Sequence, residues 1–187
     1  MAQKKVLLDS NAYFRLAPGV HPYLFDPFGD DNYCLYVIED FEAELERSPR
    51  LRMKFSWAFD PDFIKGRKRT ITVSRKQKKE ISDVYDYMWG SFKETGVSEI
   101  DVKAAATAQV LKVQLVSDDI GVKNVAEEYG VTCLSTVKML HIMQQRGHIT
   151  MDRVRATVQY LQYDNDTCYS FEAEYVELFQ ENYPNCE

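Results

Sequence analysis

Two kinds of hydrophobic run alternate along the chain. Short, continuous apolar stretches at Lys5–Leu8, Leu35–Ile38, Gln114–Ser117 and Val131–Leu134 predict strands. Longer stretches repeat apolar residues every three or four positions and predict helices. Ile81, Val84, Tyr85, Met88 and Phe92 mark one helix over about 74–92. Ser98-Glu99-Ile100-Asp101 fits a capping box and opens an Ala-rich helix to about Lys112. Asp118-Asp119 opens another, ending near Gly130, and Ser135 caps a third through Arg146. Asp40–Arg47 reads as a short helix, whereas 18–32 reads as loop and 48–73 as irregular. Beyond Gly147 two amphipathic helices follow, one with Val154, Val158 and Leu161 on a face, the other with Phe171, Tyr175 and Phe179. Strands separated by helices imply a parallel sheet in an α/β sandwich.

Composition narrows the class. With 187 residues, 45% of them hydrophobic and 13% aromatic, the chain can bury a real core and is not disordered. The net charge of −6 hides an asymmetry. Residues 65–79 hold eight basic side chains and no acid, while 156–187 hold seven acids and no Lys or Arg. The apolar run Val6-Leu7-Leu8 is too short for an export signal, and no stretch approaches a membrane span. The scattered cysteines Cys34, Cys133, Cys168 and Cys186 form no C-x-x-C pair and read as reduced thiols of a cytoplasmic protein.

The candidate chemistry lies in acids at strand ends. Asp9 follows the first strand and Asp119 the third, and in a parallel sheet the carboxyl ends of strands share one edge. Asp101 opens a helix whose small face, Ala104, Ala105 and Ala108, allows close approach to that edge. Glu44 lies on the 40–47 helix. Four converging carboxylates repel one another, and Mg²⁺ or Mn²⁺ relieves that repulsion with oxygen ligands alone. His21, His141 and His148 offer no zinc spacing. Each acid also has a plain structural reading, as a helix cap, a turn residue or a solvated glutamate.

Taken in order, these motifs resemble the PIN-domain family of metal-dependent endoribonucleases, most closely toxins of type II toxin–antitoxin pairs. VLLDSNAYF resembles the family's opening, EAELER its acidic helix, and SEIDVKAAATAQVLKVQLVSDD its second half. The resemblance implies an α/β/α sandwich with a central parallel sheet. It implies Mg²⁺ or Mn²⁺ held by Asp9, Glu44 (or Glu42), Asp101 and Asp119, with Asn11 and Ser117 orienting ligands. It covers 5–47 and 97–147, so a nuclease domain of 1–147 would carry a basic insertion at about 48–96 and an acidic helical extension at 148–187. The interval from Glu44 to Asp101 is long for the compact forms of the fold.

Under this reading RNA is the substrate, an antitoxin protein the partner, a homodimer an open option and a membrane role excluded. Arg67, Lys68, Arg69, Arg75 and Lys76 would contact phosphates, and Trp57, Phe59 and Phe63 would stack on unpaired bases. The plain alternative is a solvated basic loop with those aromatics in the core. The acidic end would pack on the parent domain, or dock a basic partner or the basic segment of its own or a second copy. Two other functions compete. One is a non-catalytic RNA- or protein-binding module of the same fold. The other is a phosphatase of the haloacid-dehalogenase type, disfavoured because Asn11 stands where that chemistry needs a second Asp.

Overall fold

The computed structural model describes residues 3–67 and 71–185. Four strands, β1 (Lys4–Leu8), β2 (Tyr33–Val37), β3 (Gln114–Val116) and β4 (Cys133–Leu134), form one sheet in the order β2-β1-β3-β4. Every pairing is parallel. Val6, Leu7 and Leu8 are at most 1% exposed, so β1 is covered on both faces, which explains its unbroken apolar run.

Helices supply that cover. α1 (Ser10–Val20) follows β1; α2 (Phe41–Arg47), α3 (Pro49–Lys54), α4 (Pro61–Arg67), α5 (Arg75–Phe92) and α6 (Glu99–Leu111) lie between β2 and β3. α7 (Ile120–Glu128) joins β3 to β4, and α8 (Thr136–Gln145), α9 (Met151–Tyr163) and α10 (Phe171–Phe179) complete the chain order. Right-handed crossovers put α1 on one face of the sheet and α6 and α7 on the other. The packing agrees: α1 meets α8 and α9, whereas α6 meets α5 and α7. The result is an α/β architecture with helices on both sides of a parallel sheet.

Two segments differ from expectation. α1 continues to Val20 through Pro18, into the segment expected to be loop, because Ala12, Tyr13, Phe14, Leu16 and Ala17 form a buried face that outweighs one lost backbone donor. Residues 48–73 are not irregular throughout, since α3 and α4 lie there. Pro49 and Pro61 occupy first-turn positions where a missing N–H costs nothing, and Ser48 caps α3. The acidic end is integral to the core: Val154, Val158, Leu161, Phe171 and Tyr175 are buried with the residues of β1 and α1 in one cluster. Cys34, Cys133 and Cys168 are free thiols, and Cys186 lies outside the described residues. Among the described residues no helix is long and apolar enough to cross a membrane.

Candidate active site

From β1 the chain crosses to β2 on one side, and from β3 it crosses to β4 on the other. The sheet therefore reverses its winding between β1 and β3. A crevice opens at such a reversal, outside the carboxyl ends of the two strands. Asp9 leaves β1 there, and Ser117, Asp118 and Asp119 leave β3. The backbone joins them, as the Asp9 N–H donates to the Val116 carbonyl at 3.1 Å.

Asp9 is the N-cap of α1 and is only 2% exposed. Its Oδ1 accepts from the Ala12 N–H at 2.6 Å, but Oδ2 is buried without a hydrogen-bond partner. Burial pushes its pKa up to about 7; the nearby Ser117 hydroxyl and the Ala12 N–H pull it down, and the charges of Asp101 and Asp118 raise it further. Ser117 is fully buried, and its Oγ accepts the Asp119 N–H at 3.1 Å.

The other acids are linked to Asp9, directly or through one another, by their charges. Asp101 lies in the first turn of α6, where the Ser98 Oγ donates to its Oδ2 at 2.6 Å. Its pKa is raised by burial and by the charge of Asp119. Glu44 is half-buried on α2, and the Ser10 Oγ donates to its Oε2 at 2.6 Å. Burial raises Glu44 as well, with a contribution from Asp101. Asp119 is exposed and caps α7 through the Val122 N–H at 3.0 Å. Gly121 makes room for that cap, since a Cβ there would stand 2.5 Å from Val97 and 3.0 Å from the Asp119 Oδ1. Asp101 is thus central to the set: its charge raises Asp9 and Glu44, and the charge of Asp119 raises Asp101.

This donor set is all oxygen and includes an unbonded oxygen at Asp9, which suits a hard divalent cation. Its spacing is looser than a formed ligand sphere: among the described residues no three acids, histidines or cysteines stand close enough to hold one ion.

No family model and no curated protein matches the chain.

Beside Glu44 a cleft of about 1130 Å³ runs between α2, α5 and α6. Ile100 and Tyr85 line it together with Arg47, Lys78 and Lys103. Lys78 pairs with Glu39 at 3.0 Å on the exposed rim, and Lys103 with Asp40 at 2.7 Å in a half-buried position.

The predicted RNA contacts divide. Arg75 and Lys76 are exposed at the start of α5, whereas Lys68 and Arg69 lie outside the described residues. Arg67 corrects the expectation of a surface cation. It is 1% exposed, paired with Glu42 at 2.7 Å, and donates to the Tyr13 hydroxyl and the Ala58 carbonyl at 2.8 Å each. Its guanidinium also lies over the rings of Tyr13 and Phe41. This arginine joins α4 to α2 and α1, and it engages Glu42, leaving Glu44 as the α2 acid that senses Asp101. Trp57 and Phe63 are half-buried against each other, and Phe63 stacks on His21 at 4.0 Å, so packing rather than base stacking occupies them.

Asn11 is exposed on α1, and Ser10 rather than Asn11 touches an acid. Two neighbours of these acids leave no mark in the sequence pattern. Ser10 is one. The other is Asp118, which is buried, accepts from Arg15 Nη1 at 2.7 Å and from the Thr136 N–H at 3.0 Å, and also bonds the Thr136 hydroxyl. Arg15 in turn reaches Asp166 at 3.3 Å.

Proposed function

We propose that this protein is a divalent-metal-dependent endoribonuclease with a PIN-like fold, acting as a toxin held in check by an antitoxin protein. One observation carries the reading: a buried carboxylate, Asp9, with one oxygen unbonded, at the winding reversal of a parallel sheet and within the field of Asp101. A carboxyl whose only task was to cap α1 would gain nothing from having its second oxygen desolvated. A cation in the crevice supplies what that oxygen lacks.

Asp9, Glu44, Asp101 and Asp119 would hold Mg²⁺ or Mn²⁺. Bound there, the ion would activate water for in-line attack on a phosphodiester and stabilise the leaving oxygen. The protein's own groups set the stage. Ser117 favours the charged form of Asp9, Ser10 and Ser98 orient Glu44 and Asp101, and the Arg15–Asp118 pair fixes the turn that presents Asp119. The cleft beside Glu44 gives a single strand of RNA room along α2, α5 and α6, with Lys78, Lys103, Arg75 and Lys76 for its phosphates. Exposed ion pairs such as Lys78–Glu39 contribute about 0–1 kcal/mol, so a phosphate displaces them at small cost.

The test is cleavage of a structured RNA by the full chain with Mg²⁺ or Mn²⁺, with EDTA, and with D9N or D119N. Cleavage that needs the ion and is lost in both variants is expected. Cleavage that survives EDTA or D9N overturns the metal reading, and its absence under all conditions favours a non-catalytic RNA- or protein-binding module.

A further inference from the structure

One stretch of the chain concentrates positive charge that nothing neutralises. Residues 47–54 (RSPRLRMK) hold four basic side chains and no acid. Arg47 at the end of α2, and Arg50, Arg52 and Lys54 on α3, are all exposed and make no ion pair among the described residues. In the 65–79 stretch, by contrast, Arg67 is buried on Glu42 and Lys78 is paired with Glu39.

α3 is held so that it displays these residues. None of its side chains is buried, so the helix is fixed at its ends. The Ser48 hydroxyl accepts the Leu51 N–H at 3.3 Å, and Phe55, directly after the helix, is buried and stacks on Phe14 of α1 at 3.8 Å. Arg50, Met53 and Lys54, at i, i+3 and i+4, share one face of α3. Arg52 turns to the other flank, over the Phe59 ring. Met53 is 84% exposed. A fixed helix that gives its outer face to cations and one bare apolar side chain fits a polyanion. A lipid surface fits less well, because an interfacial helix buries a broad apolar face and α3 exposes Met53 alone.

The place of α3 names the polyanion. Arg47, Ser48 and Pro49 line the cleft beside Glu44, and the chain runs from there directly into the exposed face of α3. We propose that Arg47, Arg50 and Lys54 hold the phosphates of the single RNA strand that leaves this cleft, with the Met53 side chain against one of its bases. The proposal rests on the reading of the cleft as the path of an RNA substrate. Its contacts need neither a metal ion nor cleavage.

Binding of a labelled single-stranded oligouridine to the full chain in EDTA, across a salt series, tests it. Each phosphate contact on a single strand contributes about 0.7 to the slope of log affinity against log salt. R50A/K54A should therefore flatten the slope by about 1.4 and weaken low-salt binding about tenfold, with the wild-type melting temperature. K93A/K112A removes the same charge from the exposed ends of α5 and α6 and should leave the slope as it is in the wild type. A slope that R50A/K54A does not change overturns the proposal and leaves the metal reading standing, as does an equal loss in K93A/K112A. A chain that binds no RNA in EDTA, or that uses these residues for phosphatidylserine vesicles instead, overturns it too. Salt-dependent binding that falls in R50A/K54A, in a chain that never cleaves RNA with Mg²⁺, keeps the proposal and sinks the nuclease reading.

Discussion

At Asp9 the helix-capping role and the burial of the carboxyl pull in opposite directions. As the cap of α1, Asp9 needs one oxygen, and its second oxygen is buried without a hydrogen-bond partner. The unfolded side chain loses its proton near pH 3.8, and the folded one near 7. The folded state therefore holds that proton more tightly, and stability falls as pH rises from about 4 to about 7, then levels. A shift of this size corresponds to about 4 kcal/mol at 1.36 kcal/mol per pH unit. Asn caps helices as well as Asp does but does not ionise. D9N should thus equal the wild type near pH 4 and exceed it in urea unfolding at pH 7, with RNA cleavage lost. Mg²⁺ should raise the wild-type midpoint at pH 7 and leave that of D9N unchanged. If the two proteins respond to pH alike, Asp9 is not the strained group.

Arg67 is a residue whose sequence setting misleads. It sits in a basic run, yet it is the largest fully buried side chain among those described. Arg67→Ala would leave the buried Tyr13 hydroxyl and Ala58 carbonyl without their donor, while the half-exposed Glu42 turns to water, and should cost about 1–3 kcal/mol in chemical unfolding. Arg75→Ala with Lys76→Ala should leave unfolding unchanged, weaken RNA binding and flatten its dependence on salt. Equal effects of the two substitutions on RNA affinity would argue against this division of roles.

Among elements, legibility followed burial. β1 and β2 were readable because strands covered on both faces are largely apolar, whereas β4 is only half-buried and was marked by its short apolar run between helices. α5 and α6 were readable from period and caps. α3 was not, since none of its residues is buried, and α4 buries only Arg67, so neither leaves an apolar period to find. In the candidate site, Asp9 and Asp119 were visible as acids directly after strands. Ser10 and Asp118 were invisible because what makes them matter lies 34 and 103 residues away, at Glu44 and Arg15. Helix contacts set another limit that composition conceals. A Cβ on Gly19 would collide with Thr157 where α1 crosses α9. Gly19→Ala, which would favour an isolated helix, should here cost about 1–3 kcal/mol by forcing α1 and α9 apart. A neutral result in thermal unfolding would mean the crossing is slack.

For the whole molecule, the acidic end is structural before it is anything else. Phe171 and Tyr175 are fully buried, and the Glu174 carboxylate bonds the Ser135 hydroxyl at the cap of α8. A chain ending after Tyr163 should lose cooperative unfolding and bind hydrophobic dyes. A cooperative transition in that truncation would show that the first 163 residues form a core of their own.

Arg15 closes the structure across time as well as space. It is synthesised early, but Asp118 lies 103 residues later and Asp166 lies 151 residues later. At roughly 5–20 residues per second, the second of these partners leaves the ribosome about 8 to 30 seconds after Arg15 does. Until then α1 exists without the partners that hold the β3 turn at the crevice. A growing chain therefore cannot present the finished edge until Asp166 has followed Arg15 out by 151 residues.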